Sequence, residues 1–191
     1  SDGGYLSSYE TTSGQAVEWN VHVGPNVWIG IAALQYQRLS GDSSFLGVAQ
    51  AIGGWLLELQ ARDPEKGLRG GPKDDWFSTE HNLDAYAFFG MLHRATGDPR
   101  YATAQENLYQ WLLKHAVDRT TGALKRGKGD ATIATDTFSW SIAALGPQKL
   151  AAARLDPEGI MEFAEEHCRV QVDFKRPDGR LVQVTGFDFA K

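Results

Sequence analysis

Cysteine is almost absent: Cys168 stands alone in 191 residues, so no internal disulfide and no thiolate metal cluster can form. The "EEHC" run at 165–168 has no second Cys/His pair to complete a zinc site. No apolar run approaches the ~20 residues of a membrane span, so no membrane partner is expected. Basic charge is also short, with 19 Lys and Arg against 24 Asp and Glu. Nucleic-acid binding needs a basic face, and that class of partner is excluded with it. The one basic cluster, Lys125, Arg126 and Lys128, sits in a Gly-rich stretch and reads as a solvated turn. No leader-like segment follows Ser1, which implies a processed or cut chain. The compartment stays open between cytoplasm and export.

What the chain has is a repeat. Ser40-Gly41-Asp42 recurs as Thr96-Gly97-Asp98, Phe45 as Tyr101, Trp55-Leu56-Leu57 as Trp111-Leu112-Leu113, Leu68 as Leu124, and Gly71 as Gly127, always 56 residues on. Each unit reads as a helical hairpin. In the first, the apolar periodicity of 26–39 stops at Gly41, and Asp42 or Ser43 is placed to cap a second helix over 44–60. In the second, helices are expected over 79–95 and 101–117, with Pro99 in a first turn where its missing N–H costs nothing. A third unit starts at 135–147 and continues after Asp156-Pro157. The hairpin units run about 24–71, 79–127 and 135–170, joined by long loops, all in a single domain over 1–191. After them, an alternating stretch around Pro177-Asp178-Gly179 predicts a β-hairpin over about 170–186. The fold class is mainly α. A fixed period with aromatic-rich first helices favours an (α/α) toroid or partial toroid over a plain bundle, with the first helices inside.

The stretch "GPNVWIGIAALQYQRLSGDSSFLGVAQAIGGWLLELQ", followed by a Gly-rich loop and "STEHNLDAYAFF", resembles the six-hairpin glycosidase type of (α/α) toroid. That group includes glucoamylase-like and unsaturated-glucuronyl-hydrolase-like enzymes, and the resemblance covers residues 20 to 170. It implies a carbohydrate ligand or substrate. It also implies about half of a full ring: a fragment, a half that a second copy or another chain completes, or a smaller relative. The paired-aspartate pattern expected of glucuronyl hydrolases is not found. "QAIGGW" (50–55) resembles the Gln-Trp repeats of terpenoid cyclases, whose aspartate-rich acid motif is absent.

The 56-residue register places Thr79-Glu80 on Thr135-Asp136, and Trp28, Asp84 and Trp140 on one equivalent position. Residues four apart share a helix face, so Glu80 points with Asp84, and Asp136 with Trp140. Neighbouring inner helices ~8–10 Å apart would hold the two carboxylates at about 6.5–9.5 Å, the span of an inverting glycosidase pair. Glu80 is then the general acid and Asp136 the base, with Asp84 and His81 orienting substrate. Trp28, Trp76 and Trp140, with Asn20, His22 and Asn82, would bind the sugar. No cofactor or metal is required. The competing reading is helix-start chemistry, because Ser78 or Thr79 is a good N-cap and a first-turn acid suits the helix dipole. Asp84 lies one turn further in, where capping does not account for it, and needs a partner such as His81 or His22. His93 and His115 read as solvated, Trp55 and Trp111 as core. Two alternatives to glycoside hydrolysis stay open. One is a non-catalytic carbohydrate-binding or scaffold module of the same fold. The other is a different toroid enzyme, an epimerase or cyclase.

Overall fold

The left-handed glycines that punctuate the sequence end the first helix of each of the first two hairpins. A computed structural model describes residues 3–190. In it, α1 (Val23–Ser40) stops at Gly41 with φ 75°, and α3 (Thr79–Thr96) stops at Gly97 with φ 71°. Glycine takes this conformation without the steric cost that a Cβ brings. The second helices start on acid caps. Asp98 accepts from the Arg100 N–H at 2.9 Å to open α4 (Pro99–His115), and Asp156 accepts from the Glu158 N–H at 3.2 Å to open α6 (Pro157–Cys168). In both, proline takes the first helical position. The start of α2 (Leu46–Arg62) departs from expectation: Asp42 accepts from the Ser44 N–H within a preceding turn, and the capping position falls to Phe45. The chain of α5 (Thr135–Ala152) continues past the expected stop, bending at Gly146 (φ 74°, ψ 166°) just before Pro147.

The first helices pack side by side, α1 on α3 and α3 on α5, and each second helix packs on its own partner. Repeat-equivalent residues fill the core: Trp55 with Trp111, Leu56 with Leu112, and Leu68 with Leu124 are all buried. The contact of α1 with α3 depends on two glycines. A Cβ at Gly24 would lie 2.5 Å from the His81 ring, and one at Gly30 would lie 2.5 Å from the Phe88 ring. The architecture is thus three helical hairpins in the arrangement of a partial (α/α) toroid, as the repeat predicts. No helix among the described residues is long and apolar enough to cross a membrane.

Three small antiparallel pairs decorate the helices: β1 (Ser8–Tyr9) with β2 (Ala16–Glu18), β3 (Lys125–Gly127) with β4 (Asp130–Ile133), and β5 (Arg169–Lys175) with β6 (Leu181–Phe187). The last is the expected hairpin, turning through Gly179 at φ 86°. The β3–β4 pair gives the Gly-rich stretch of Lys125, Arg126 and Lys128, read as a solvated turn, a hairpin form with Arg126 and Lys128 exposed. Gly129, at φ 79°, permits a tight reversal, and Arg126 and Lys128 stand on it as part of a wall.

Asn82 is fully buried, and its amide serves this frame. Its oxygen accepts from the Leu68 N–H at 2.8 Å, and its nitrogen donates to Leu68 O at 2.9 Å and Ser78 O at 2.7 Å. Asn82→Ala strands the buried Leu68 backbone and should cost about 1–3 kcal/mol, read as a lowered midpoint in denaturant unfolding.

Candidate active site

Neither Glu80 nor Asp136, each in the first turn of its helix, serves as the capping side chain there. At α3 the Ser78 hydroxyl accepts from the His81 N–H at 3.3 Å, and the Thr79 hydroxyl donates to Lys125 O at 2.6 Å, pinning the helix to β3. At α5 the residue before the helix, Ala134, has no capping side chain. There the Thr135 N–H donates to Phe189 O at 2.9 Å, and the Thr135 hydroxyl donates to Asp188 O.

Glu80 and Asp136 lie near enough for the Asp136 carboxyl to act on Glu80 through its charge and as a hydrogen-bond partner. This corrects the expected water-sized gap: matched heights on adjoining helices put the two carboxyl groups against each other. Two ionised carboxylates have no donor between them, and Asp136 Oδ1 is buried without a partner. The contact becomes a hydrogen bond once Glu80 carries a proton. Burial first, then the Asp136 charge and this bond, push the Glu80 carboxyl above the usual carboxylate range, with Arg126 pulling the other way.

One turn on, Asp84 is 3% exposed. Its partner is neither histidine but its own repeat equivalent, Trp28, whose indole N–H donates to Asp84 Oδ2 at 3.0 Å. Burial, then the Glu80 charge, raise the Asp84 carboxyl to about 7 despite that bond, with Asp136 adding a smaller push. Trp28 also meets Trp140 edge-on, with ring centroids 6.3 Å apart. The three equivalent positions of the repeat thus form one cluster across α1, α3 and α5.

His81 lies across from these acids. Burial, then the nearby His22, hold its imidazole down at about 4 against the pull of Asp74, so it is neutral at pH 7. Its Nδ1 is buried without a partner. The Trp76 ring packs 5.6 Å from His81 and 6.0 Å from His22.

A cavity of about 360 Å³ opens over this group, and Trp76, Glu80, His81, Arg126, Asp136 and Phe189 line it. Four of the residues expected from sequence therefore share one cavity: Glu80, His81, Asp136 and Trp76. Asp84, Trp28 and Trp140 do not line it. Asn20 and His22 line a separate small hollow with Trp19, and Asn82 is committed to the Leu68 backbone. His115 is not solvated as expected: its ring packs tilted against Trp111, and it lies 3.1 Å from Glu65. His93 Nδ1 contacts Asp98 O at 3.0 Å. Sequence reading missed Arg126 and Phe189 as cavity residues. The alternation around "GKGD" carried a hairpin signal for the first; nothing local marked the second. Among the described residues, no group of three or more His, Cys, Asp or Glu is placed to hold a metal.

No family model matches the chain, and neither does any curated protein. Solved structures do match. A family 76 glycoside hydrolase from a bovine Bacteroides thetaiotaomicron strain superposes with TM-score 0.64 at 12% identity, over 95% of this chain and 41% of its own. A family 76 mannosidase from Bacteroides thetaiotaomicron gives 0.62 at 12%, over 94% and 52%. A D-mannose isomerase gives 0.67 at 14%, over 88% and 51%. The chain spans about half the length of these structures. At such identities the likeness concerns the fold: this chain has the six-hairpin (α/α) toroid architecture, the one its repeat resembles, over about half of the ring.

Proposed function

We propose that the cavity binds a carbohydrate and that Glu80 and Asp136 cleave a glycosidic bond in it. The observation that carries this reading is the carboxyl pair in contact, with Glu80 raised toward its protonated form at the wall of a cavity that Trp76 flanks. Glu80 would give its proton to the departing glycosidic oxygen. A contact pair sits nearer the ~5–5.5 Å of retaining enzymes than the ~6.5–9.5 Å of inverting ones. In this reading Asp136 attacks the anomeric carbon. The Glu80 carboxylate then takes a proton from the water that releases the sugar, and both groups return to their starting states. The sugar named for two of the fold neighbours is mannose, which makes mannosides the first substrates to screen. The deciding experiment is a glycoside screen with wild-type protein, Glu80→Gln and Asp136→Asn. Turnover by wild type alone supports the reading, and equal activity in all three defeats it.

A second reading is favoured by His81, which is neutral at pH 7 and lines the cavity. It would take a proton from a sugar carbon only if bound substrate raised it from about 4 toward the working pH, and one fold neighbour is an isomerase. Deuterium uptake at C2 of free mannose in heavy water would reveal that chemistry, and its loss in His81→Gln would assign it. Sugar binding without turnover of either kind would leave the binding-module alternative.

The rest of the ring, in our reading, comes from further chain or from a second copy. Exposed apolar residues of α1 support this, Ile29, Tyr36 and Leu39 among them. Light scattering over a range of concentrations tests the second-copy case.

A further inference from the structure

Residues 188–190, just after β6, cross the start of α5 as a strap. The Asp188 N–H donates to Cys168 O at 2.8 Å, at the end of α6. The Thr135 N–H and hydroxyl donate to Phe189 O and Asp188 O respectively, and Ala134 bridges Ala190 in antiparallel fashion. The strap's backbone is therefore tied to both helices of the third hairpin. It carries Phe189 into the wall of the cavity that holds Glu80 and Asp136, and there the ring stays 64% exposed. A tethered backbone presenting a large apolar ring to water, beside a polar pair, forgoes the burial that normally stabilises such a ring. Two nearby hairpin phenylalanines, Phe174 and Phe187, are also exposed, but neither lines the cavity. Trp76, itself 44% exposed, lines the same cavity from the segment ahead of α3.

We infer that Phe189 is a sugar-stacking residue, a second aromatic wall that selects a pyranose ring with a flat C–H face and seats it beside Glu80 and Asp136. The inference rests on the carbohydrate reading of the cavity and adds to it a specificity determinant outside the helical repeat. Flat aromatic faces bind the apolar face of a pyranose, and the neighbouring carboxyl, guanidinium and imidazole groups meet its hydroxyls. Stacking needs the flat face as well as apolar bulk, and that separates it from simple packing.

The test uses the whole chain and a panel of methyl pyranosides and manno-oligosaccharides, with affinity read by calorimetry and, for any glycoside turned over, kcat and KM read separately. Phe189→Leu keeps apolar bulk and loses the flat face; Phe189→Ala loses both. Each should weaken binding about tenfold and raise KM without a matching fall in kcat. Phe189→Tyr should retain wild-type affinity, and Phe174→Ala on the hairpin should bind as wild type does. Unfolding curves for each variant separate lost affinity from lost fold, and Phe189→Leu serves if Phe189→Ala fails to fold. Wild-type affinity in Phe189→Leu, alongside lost turnover in Glu80→Gln, overturns the inference and keeps the catalytic reading. Absence of any sugar binding by the wild-type chain removes both.

Discussion

Glu80→Gln is expected to lower turnover of the cavity's glycoside by about 10²–10⁴-fold, the usual range for loss of a general acid, with sugar affinity retained. The substitution is close to a pure test of the proton. The introduced amide can donate to Asp136 as protonated Glu80 would, so the contact between α3 and α5 persists. What disappears is a proton that can leave. Asp136→Asn should lose at least as much, since it removes the group assigned to the anomeric carbon. A stability gain in Glu80→Gln accompanied by lost activity would be the expected signature of strained like charges kept for function. If instead both variants keep wild-type kcat, the carboxyl pair is a packing feature, and the binding-module or isomerase reading takes its place.

The second large effect concerns pH and stability. Asp84, ordinarily at 3.8, is raised to about 7 in the folded chain. Below pH 4 it is protonated in both states and contributes nothing. As pH rises, the unfolded chain ionises first, and the folded protein loses stability until about pH 7. At ~1.4 kcal/mol per pH unit, the ceiling on that loss is ~4 kcal/mol. His81 works in the opposite sense. Its ordinary 6.5 falls to about 4 in the fold, so the unfolded chain takes up the proton first and stability is lost as pH drops through that window. Between pH 4 and 6.5 the two slopes nearly cancel, with Glu80 adding to the Asp84 side. Asp84→Asn unmasks the histidine. Its stability should climb by up to ~3 kcal/mol from pH 4 to 6.5, and above pH 7 it should exceed wild type by up to ~4 kcal/mol. The amide oxygen that replaces the carboxylate can still accept from Trp28, so the bond at 3.0 Å need not be lost. Denaturant unfolding of both proteins from pH 4 to 8 measures the difference; parallel curves would mean that Asp84 ionises in the fold as it does in water.

The elements that sequence made legible were those set by local chemistry. Gly41 and Gly97 end their helices because only a left-handed residue fits there, and Asp98-Pro99 and Asp156-Pro157 open theirs because cap and ring suit the first turn. The repeat gave the neighbour relations as well, since 56-residue equivalents on adjoining helices do touch, Trp28 with Asp84 among them. What it did not give was separation and direction. Equal height on neighbouring helices is compatible with a water-sized gap or with contact, and side-chain reach decided for contact between Glu80 and Asp136. Asp84 was recognised as needing a partner, yet a histidine was the expected one. A tryptophan donor reads as an apolar platform until its indole N–H is placed. Phe189 escaped for another reason: its position comes from a strap laid over α5, more than fifty residues away in the chain.

Trp28, Asp84 and Trp140 hold one position in three successive units, and the middle unit differs. Suppose the units were made alike by majority, as is done when repeat proteins are idealised. Position 84 would become tryptophan, an acid raised to about 7 would vanish from the interior, and the array would gain apolar packing. The same change would erase the bond to Trp28 and the acid on which the Glu80 charge acts. Uniformity and chemistry pull in opposite directions here. A consensus version of this chain should be a sturdier stack of hairpins that has given up the acid buried beneath its carboxyl pair.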